Sequence, residues 1–327
     1  MKKFVAIFLS CVLLLSLCAC NNSSKTATET TESNSETAPE ATENNLEVAQ
    51  QYIADGQYED AYALLYGIEN RSAEEENLFA QFSFILTGEK YIGSSFTKIS
   101  MYNDTGKLIE ETTTWTNGDT THTVCTYNEN NMILSLNRVS STGGWTLEKY
   151  TYDDNDNCIL TLVEANTGEL AYSFTYDKDG NCLTETRDTG GKLWVIKYSY
   201  DAQGRKISES DNYDNHTTYI YNDFGQLVEE LGEGSLGAFH TNYTYNDRGL
   251  LIQVETQSEY PNSASYTYDE YGNTLTVTSN NIISGSSTTS YAYTYDRFGN
   301  MLKKVTSENG KEVSTTEFTY TLVYQPS

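Results

Sequence analysis

The sequence predicts a mainly β protein: a curved, spiralling antiparallel β-meander of about ten hairpin repeats, preceded by a small α-helical cap. Three observations predict it. A tyrosine recurs every 21 to 27 residues over two thirds of the chain, each of the first nine is followed by Asp or Asn, and a second turn signal lies between neighbouring copies. A period of this length indicates an array of one small structural unit.

Ten tyrosines anchor the repeats, most often 24 or 25 residues apart. They are Tyr102, Tyr127, Tyr152, Tyr176, Tyr200, Tyr221, Tyr245, Tyr268, Tyr295 and Tyr320. With the anchor numbered 0, position +1 is Asp or Asn in nine copies and position +4 is Gly in seven. The two exceptions at +4, Asn131 and Asp156, are residue types that tolerate a left-handed backbone. This is the chemistry of a hairpin turn.

Side chains that flank the turn predict a cross-strand pair. Position −2 is aromatic in most copies and position +7 is aliphatic in all nine, as in Tyr150 and Ile159. If position 0 lies opposite +5, then −2 lies opposite +7, and each hairpin gains an aromatic–aliphatic pair of about 0.2–1 kcal/mol.

Two strands per repeat give roughly twenty short strands, and an open sheet of that size curls, splits or closes. We expect a curved spiral with the tyrosines inward. Three stretches are longer and richer in Gly, Ser or Asn, and we expect them to be loops on one rim: Leu231–His240, Ser258–Ala264 and Ser279–Thr289.

Residues 45–90 have helical periodicity. Two apolar stripes are separated by Asp55-Gly56, and a third helix is expected from Ala73 to about Leu86. The segment around Ala61 resembles the centre of a tetratricopeptide repeat. One such unit is too small for a stable solenoid, so a cap on the sheet of residues 91–327 is expected, with a partner-binding groove as the alternative.

The N-terminus resembles that of a bacterial lipoprotein. Lys2 and Lys3 precede an apolar run, which fits a signal peptide over residues 1–19. Ala19 precedes Cys20, the expected lipidation site, and Cys18 is the competing candidate. Residues 20–44 are rich in Ser, Thr and Glu and read as a disordered tether. We therefore expect a lipid-anchored protein on the extracytoplasmic face of a cell membrane; an ordinary signal peptide cut elsewhere is the alternative.

The clearest repeat, YTYDRFGNML at 293–302, resembles the YD repeat of the RHS family. This family includes bacterial wall-associated and polymorphic-toxin proteins, toxin-complex shells and teneurins. The resemblance implies a β-shell and a cell-surface or secreted setting. The chain ends seven residues after Tyr320 without a self-cleaving core motif or toxin, so we do not expect it to deliver a toxin itself.

Charge and motifs narrow the functions. The net charge is −26, or −28 once Lys2 and Lys3 leave with the signal peptide. Such a surface disfavours nucleic acid and anionic lipid headgroups, so the lipid anchor is the expected membrane contact. The three histidines share no motif, and no nucleophile elbow, zinc pattern or phosphate loop is present. We expect a non-enzymatic protein without a cofactor.

Calcium is the one weak candidate for a bound cofactor. Asp177, Asp179 and Asn181 resemble the front of an EF-hand loop, but the sixth position is Cys182 rather than Gly. The hairpin turn is the favoured interpretation. Because Cys158 and Cys182 occupy the same +6 position of successive repeats, a disulfide between them stays open as an alternative to free thiols.

Aromatic residues outside the anchor positions are the best candidates for binding, because a rigid ring can stack on a ligand. They are Tyr260, Trp115, Trp145 and Trp194. The expected function is binding or adhesion to an envelope or extracellular glycan, or to a surface protein. The alternative is an accessory shell or chaperone of a polymorphic-toxin or secretion system.

Overall fold

The computed structural model describes residues 45–188, 191–235 and 237–326. The predicted signal peptide, the lipidation at Cys20 and the tether lie outside the described residues. None of the described helices is both long and apolar enough to cross a membrane.

Three short helices come first: α1 Asn45–Ala54, α2 Tyr58–Tyr66 and α3 Ala73–Phe79. Gly56, with φ of +73°, makes the turn between α1 and α2. Ser72 begins α3 with a capping box, since its hydroxyl accepts from Glu75 N and the Glu75 side chain accepts from Ser72 N. The prediction that this helix runs to Leu86 is wrong.

Twenty strands follow in the described chain. They are β1 Phe82–Gly93, β2 Phe96–Tyr102, β3 Leu108–Trp115, β4 Thr120–Tyr127, β5 Ile133–Ser140, β6 Trp145–Tyr152, β7 Cys158–Ala165, β8 Gly168–Tyr176, β9 Cys182–Asp188, β10 Leu193–Tyr200, β11 Lys206–Asp211, β12 His216–Tyr221, β13 Leu227–Glu233, β14 Phe239–Tyr245, β15 Leu251–Gln257, β16 Asn262–Tyr268, β17 Thr274–Asn281, β18 Gly285–Tyr295, β19 Met301–Glu308 and β20 Lys311–Tyr324. Every strand is antiparallel to the next, as the repeat predicts.

The sheet closes on itself, so the expected curved spiral is not confirmed. Strand β1 pairs with β2 on one side and with β20 on the other, and the β1–β20 pairing runs from Phe82 opposite Tyr324 to Gly93 opposite Ser314. The physical reason is that an open sheet would leave two long edges of unpaired backbone groups. Residues 82–86, predicted as the end of α3, belong to β1 instead. They form a strand because they pair with β20, near the C-terminal end of the chain.

The register across each anchor turn differs from the prediction. Position 0 lies opposite +6 and position −2 opposite +9, as in Tyr152 opposite Cys158 and Tyr150 opposite Thr161. The turn closes between +1 and +5, where Asp153 N donates to Asn157 O at 2.9 Å. Because the register shifts beside the anchor, Ile159 at +7 is the extra residue of a β-bulge rather than the partner of −2.

The pairing separates two faces. The face with positions −1 and +8, here called the threonine face, is the more exposed and carries hydroxyl pairs such as Thr175–Thr184 at 2.7 Å and Ser199–Ser208 at 2.6 Å. The face with positions −2, 0, +6 and +9, here called the tyrosine face, is mostly half-buried. Because side chains converge on the concave side of a closed sheet, we infer that the tyrosine face is the inner one.

The strand ends form two rims. All nine turns that follow an anchor tyrosine lie on one rim, here called the anchor-turn rim, and the second turns lie on the opposite rim. The three stretches expected as loops all reach that opposite rim, as predicted. They are shorter than expected, because β13 and β14 take in half of Leu231–His240, β16 takes in the last three residues of Ser258–Ala264, and β17 and β18 take in most of Ser279–Thr289.

The helices pack at the anchor-turn rim, where the first and last strands meet. Ala49, Ala61 and Leu65 are fully buried there, together with Phe82 of β1. The Tyr62 ring contacts the rings of Phe84 at 5.0 Å and Phe298 at 4.9 Å. The predicted small helical segment against the sheet is confirmed.

A disulfide across the β1–β20 seam tests the closure. Lys90 and Glu317 are directly opposite, and opposite residues in an antiparallel pair have Cα atoms about 4.5–5.5 Å apart, within reach of a disulfide. The Lys90→Cys, Glu317→Cys variant should therefore form an intramolecular disulfide under mild oxidation, detected by peptide mapping with mass spectrometry.

The matched control is Lys90→Cys with Glu169→Cys, because Glu169 of β8 lies on the same face but seven strands away from β1. A sheet that remains open would give no seam disulfide in either pair.

Candidate functional site

The anchor tyrosines tie each repeat to the one before it. In seven of them the hydroxyl donates to the backbone carbonyl of the +6 residue in the preceding repeat, at 2.7 Å from Tyr152 to Ile133 and from Tyr200 to Cys182. The others are Tyr127 to Leu108, Tyr176 to Cys158, Tyr221 to Lys206, Tyr245 to Leu227 and Tyr268 to Leu251. In the next repeat Tyr293, at −2, makes this bond to Thr274 at 2.6 Å.

Burial keeps these hydroxyls protonated. Desolvation raises the pKa of Tyr127 and of Tyr176 to about 12, with a smaller contribution from the neighbouring Cys125 and Cys182 thiols. At neutral pH each anchor is therefore a permanent donor, and the tyrosine row is a structural ladder rather than a set of acid–base groups.

A second row on the tyrosine face joins hydroxyls to carboxylates. Tyr198 donates to Glu185 at 3.0 Å and Tyr243 donates to Glu230 at 2.8 Å. Burial, followed by the charge of Glu185, raises the pKa of Tyr198. Arg187 pairs with Glu185 at 2.5 Å. The tyrosine face thus carries hydroxyls and paired charges among half-buried apolar side chains such as Leu227 and Val254.

The anchor turns are held by the +1 side chain. Asp177 Oδ1 accepts from Asp179 N and Asn181 N, both at 2.9 Å, and Oδ2 accepts from Asn181 Nδ2 at 2.9 Å. The Asp179 carboxylate pairs with Lys178 at 2.8 Å. The three calcium candidates therefore form the hairpin turn, and within the described ranges no three His, Cys, Asp or Glu side chains come together to hold a metal ion.

The turn prediction at position +4 is confirmed. Gly180 has φ of +82°, and the two exceptions, Asn131 and Asp156, have φ of 59° and 63°. Asn and Asp thus adopt the left-handed conformation that Gly supplies in the other seven copies.

The three cysteines in the described chain, Cys125, Cys158 and Cys182, are free thiols. Cys158 donates to Leu160 O at 3.6 Å and Cys182 to Thr184 O at 3.4 Å. Of the two possibilities that the sequence leaves open, the structure has thiols at these positions rather than a bridge.

All four predicted binding aromatics lie on the opposite rim, but they do not form one site. Trp115 ends β3, Trp145 begins β6, Trp194 lies near the start of β10, and Tyr260 lies between β15 and β16. Trp115 and Trp194 are on the tyrosine face, whereas Trp145, opposite Val139, is on the threonine face.

Three of these rings are exposed and one is held by its neighbours. The exposed fractions are 43% for Trp115, 40% for Trp145 and 55% for Tyr260. Trp194 donates from Nε1 to Asp211 at 2.9 Å, and the Arg187 guanidinium lies 4.5 Å from its ring centre. Its indole is therefore part of the sheet's own packing.

A cleft of about 390 Å³ lies beside Trp115, here called the Trp115 cleft. Its lining residues are Ser95, Trp115, Thr116, Asn117, Asp119, Ser140 and Thr142. Trp115 packs on Phe96 at 5.0 Å, and Phe96 packs on Tyr91 at 5.0 Å. Sequence reasoning identified Trp115 but missed the polar residues, for which the second turn at Asn117-Gly118 was the available signal.

A second cleft, of about 530 Å³, lies on the same rim between the β15–β16 and β17–β18 connections. Pro261, Asn262 and Ile282 are among its lining residues, and Tyr260 is not. Ile282 of this lining and the adjacent Ile283 are 69% and 75% exposed. The sequence predicts only a polar loop at this stretch, so the exposed apolar pair was not expected.

Comparison with known proteins identifies the repeats. The Teneurin YD-shell family model matches residues 77–193, and the RHS Repeat model matches residues 176–215. The repeats within 77–215 therefore belong to the RHS/YD-repeat family, which confirms the resemblance drawn from the sequence. No curated protein is similar enough to count as a match.

Several solved structures are distantly similar. The crystal structure of TcdB2-TccC3-TEV is 15% identical, with 68% of this chain and 16% of that chain covered and a TM-score of 0.34. The Photorhabdus luminescens Tc holotoxin pore is 14% identical, with 64% and 13% covered and a TM-score of 0.37. A porin-like protein from Bacteroides uniformis is 16% identical, with 73% and 96% covered and a TM-score of 0.33.

This chain spans about a sixth of the TcdB2-TccC3 chain that it matches.

Removing one anchor hydroxyl should destabilise the sheet. Tyr200→Phe deletes the bond to Cys182 O and should lower the free energy of unfolding by about 1 kcal/mol. The measurement is the urea midpoint followed by circular dichroism. Tyr213→Phe is the control, because Tyr213 is 53% exposed and lies between β11 and β12. Equal midpoints for the two variants would contradict the ladder.

Acid should weaken the anchor turns. The Asn157 side chain and then its backbone N–H hold the pKa of Asp153 below its usual value, and Asn181 does the same for Asp177. Since the folded pKa is the lower one, this stability is present above the unfolded value of about 3.9 and is lost as the pH falls through the folded value. Urea midpoints between pH 2 and 7 measure it.

The Asp153→Asn, Asp177→Asn variant should show a shallower fall below about pH 4. An Asn at +1 accepts the same backbone bonds without titrating, as Asn222 does from Phe224 N and Gln226 N at 3.0 Å. The control is Asp154→Asn, since the backbone N–H groups of that turn bond to Asp153. Parallel curves for the variant and the original chain would refute the assignment.

Proposed function

We propose that this chain is an extracytoplasmic, non-enzymatic shell protein that acts as an accessory to a polymorphic-toxin or secretion system and shields a client polypeptide. The observation that carries the proposal is the β1–β20 pairing, which closes the YD-repeat sheet around its tyrosine face. Of the two functions considered from the sequence, an enclosing shell fits this closure and the YD-shell match better than a flat binding surface.

The size of the sheet supports an enclosed space. Twenty strands at a spacing of about 4.8 Å give a perimeter of roughly 100 Å. Rings of 16 or more strands are wide enough to leave their interior unfilled. In keeping with this, strands contact essentially only their neighbours in the described chain, and the buried hydrophobic residues lie at the helices, apart from Cys125.

The chemistry of the tyrosine face supports a polypeptide client held loosely. Its carboxylates are already bonded, Glu185 by Tyr198 and Arg187, and Glu209 by Lys206 at 2.7 Å. A lining whose charges are locally paired offers no strong field to a ligand. Such a surface suits an extended chain of mixed polarity and does not hold it as tightly as an apolar groove.

Membrane attachment through Cys20 completes the proposal. A diacylated or triacylated cysteine would anchor the protein stably, where a single chain would not. The tether of residues 20–44 would hold the shell away from a membrane whose anionic headgroups repel the acidic chain.

The proposal is tested with the full-length chain and an RHS-type toxin, chosen from the genomic neighbourhood of this chain if one is encoded there. On co-expression the toxin should copurify and resist proteinase K, and Cys20→Ser should release both proteins from the membrane fraction. Thr113→Trp should reduce the protection, because Thr113 is on the tyrosine face, whereas Thr114→Trp on the threonine face should not. Circular dichroism checks that both variants fold. A toxin that is digested as fast as when it is alone would refute the proposal.

A second candidate function is binding of a glycan or surface protein at the opposite rim. It is supported by the exposed rings of Trp115, Trp145 and Tyr260 and by the two clefts on that rim. A shell with a binding rim combines the two functions, because the rim residues lie at the strand ends and leave the rest of the tyrosine face to a client, even though Trp115 itself ends β3 on that face.

A further inference from the structure

We propose that the Trp115 cleft is a carbohydrate subsite, in which one sugar ring stacks on the Trp115 indole while its hydroxyls bond to Asn117 and Asp119. The inference rests on the second candidate function, since it places that function in one cleft and on one ligand class. It does not depend on the shell proposal.

The indole is held ready for stacking. Trp115 lies opposite Phe96 at the end of the β2–β3 pair, and the rings of Tyr91, Phe96 and Trp115 pack in a row with centres 5.0 Å apart. Trp115 N donates to Asp119 O at 2.9 Å, which also fixes the backbone. A ring ordered before binding loses little entropy on binding.

The rest of the cleft lining is polar and equally ordered. Asn117 Nδ2 donates to Asp119 Oδ2 at 2.7 Å, and Asp119 N donates to Asn117 Oδ1 at 3.0 Å. The hydroxyls of Ser140 and Thr142 bond to each other at 2.8 Å. Short hydroxyls, an amide and a carboxylate therefore face the cleft in fixed positions.

This combination fits a sugar better than other small ligands. A pyranose has an apolar C–H face for an aromatic ring and an edge of hydroxyls for carboxylate and amide groups. The cleft of about 390 Å³ is within the usual range of small-molecule sites. Its lining contains Asp119 and no Lys, Arg or His, so a phosphate or other anion would be repelled.

The test is isothermal titration of the full-length chain with cellobiose, maltose and N,N′-diacetylchitobiose. We expect saturable binding of at least one, with Trp115→Ala weakening it about tenfold or more through the loss of stacking. Asp119→Asn, which keeps the shape of the turn, should weaken binding of the same sugar. Trp145→Ala is the matched control and should leave binding unchanged, because that exposed indole is on the other face of the same rim.

The outcomes separate the subsite from the wider function. Binding that survives Trp115→Ala but is lost in Tyr260→Ala would overturn the subsite and leave a glycan-binding rim. Absence of binding by all three disaccharides would also overturn the subsite, and a blank glycan array with the same full-length chain would then remove the glycan-binding function. Circular dichroism spectra identical to that of the original chain show that a loss of binding is not a loss of folding.

Discussion

One hydrogen bond recurs through the molecule and organises the rest: the anchor tyrosine hydroxyl donates to the +6 carbonyl of the preceding repeat. Each repeat of two strands has little apolar surface to bury, so backbone pairing alone would leave neighbouring hairpins free to twist against each other. The tyrosine side chain reaches the preceding repeat and fixes its backbone at position +6, the first strand residue after that repeat's anchor turn. The bulge beside the anchor follows from this, because it places the ring and the +6 residue on one face.

Pairing of the first and last strands converts the repeating sheet into a closed ring of strands. With β1 paired to β20, no long edge is left to recruit a strand from another chain. The two faces then acquire different chemistry: hydroxyl pairs on the exposed threonine face, and tyrosines with paired charges on the tyrosine face. The two rims differ as well. The anchor-turn rim is regular and carries the helices, whereas the opposite rim has connections of varied length and the two clefts.

The residues of the tyrosine ladder and the residues proposed for recognition are therefore different sets. Seven anchor tyrosines and Tyr293 form the ladder through backbone carbonyls, and other tyrosine hydroxyls, such as that of Tyr198, donate to carboxylates. Of the residues that carry the proposed recognition chemistry, Trp115 ends β3, while Asn117 and Asp119 lie in the second turn that follows. If the proposal holds, a change at Asn117 or Asp119 alters the ligand without disturbing the strand pairing.

The sequence by itself determined the local features: the repeat, the number of strands, the left-handed residue at +4 and the family. These are readable because each turn is held within five residues, as Asp177 holds Asn181. It also selected Trp115, although without the polar partners that make a cleft. The sequence did not predict the bulge, so the expected pairing of −2 with +7 was wrong.

Only the tertiary structure decided the closure, the end of α3 and the distribution of the aromatics around one rim. Lys90 of β1 lies opposite Glu317 of β20 across the seam. Because these two residues are far apart in the sequence, no local pattern predicts that their strands are neighbours. The same holds for Phe82, which reads as the continuation of a helix until β20 lies beside it. The physical reason is that backbone pairing between distant strands depends on the accumulated twist and curvature of all the repeats between them.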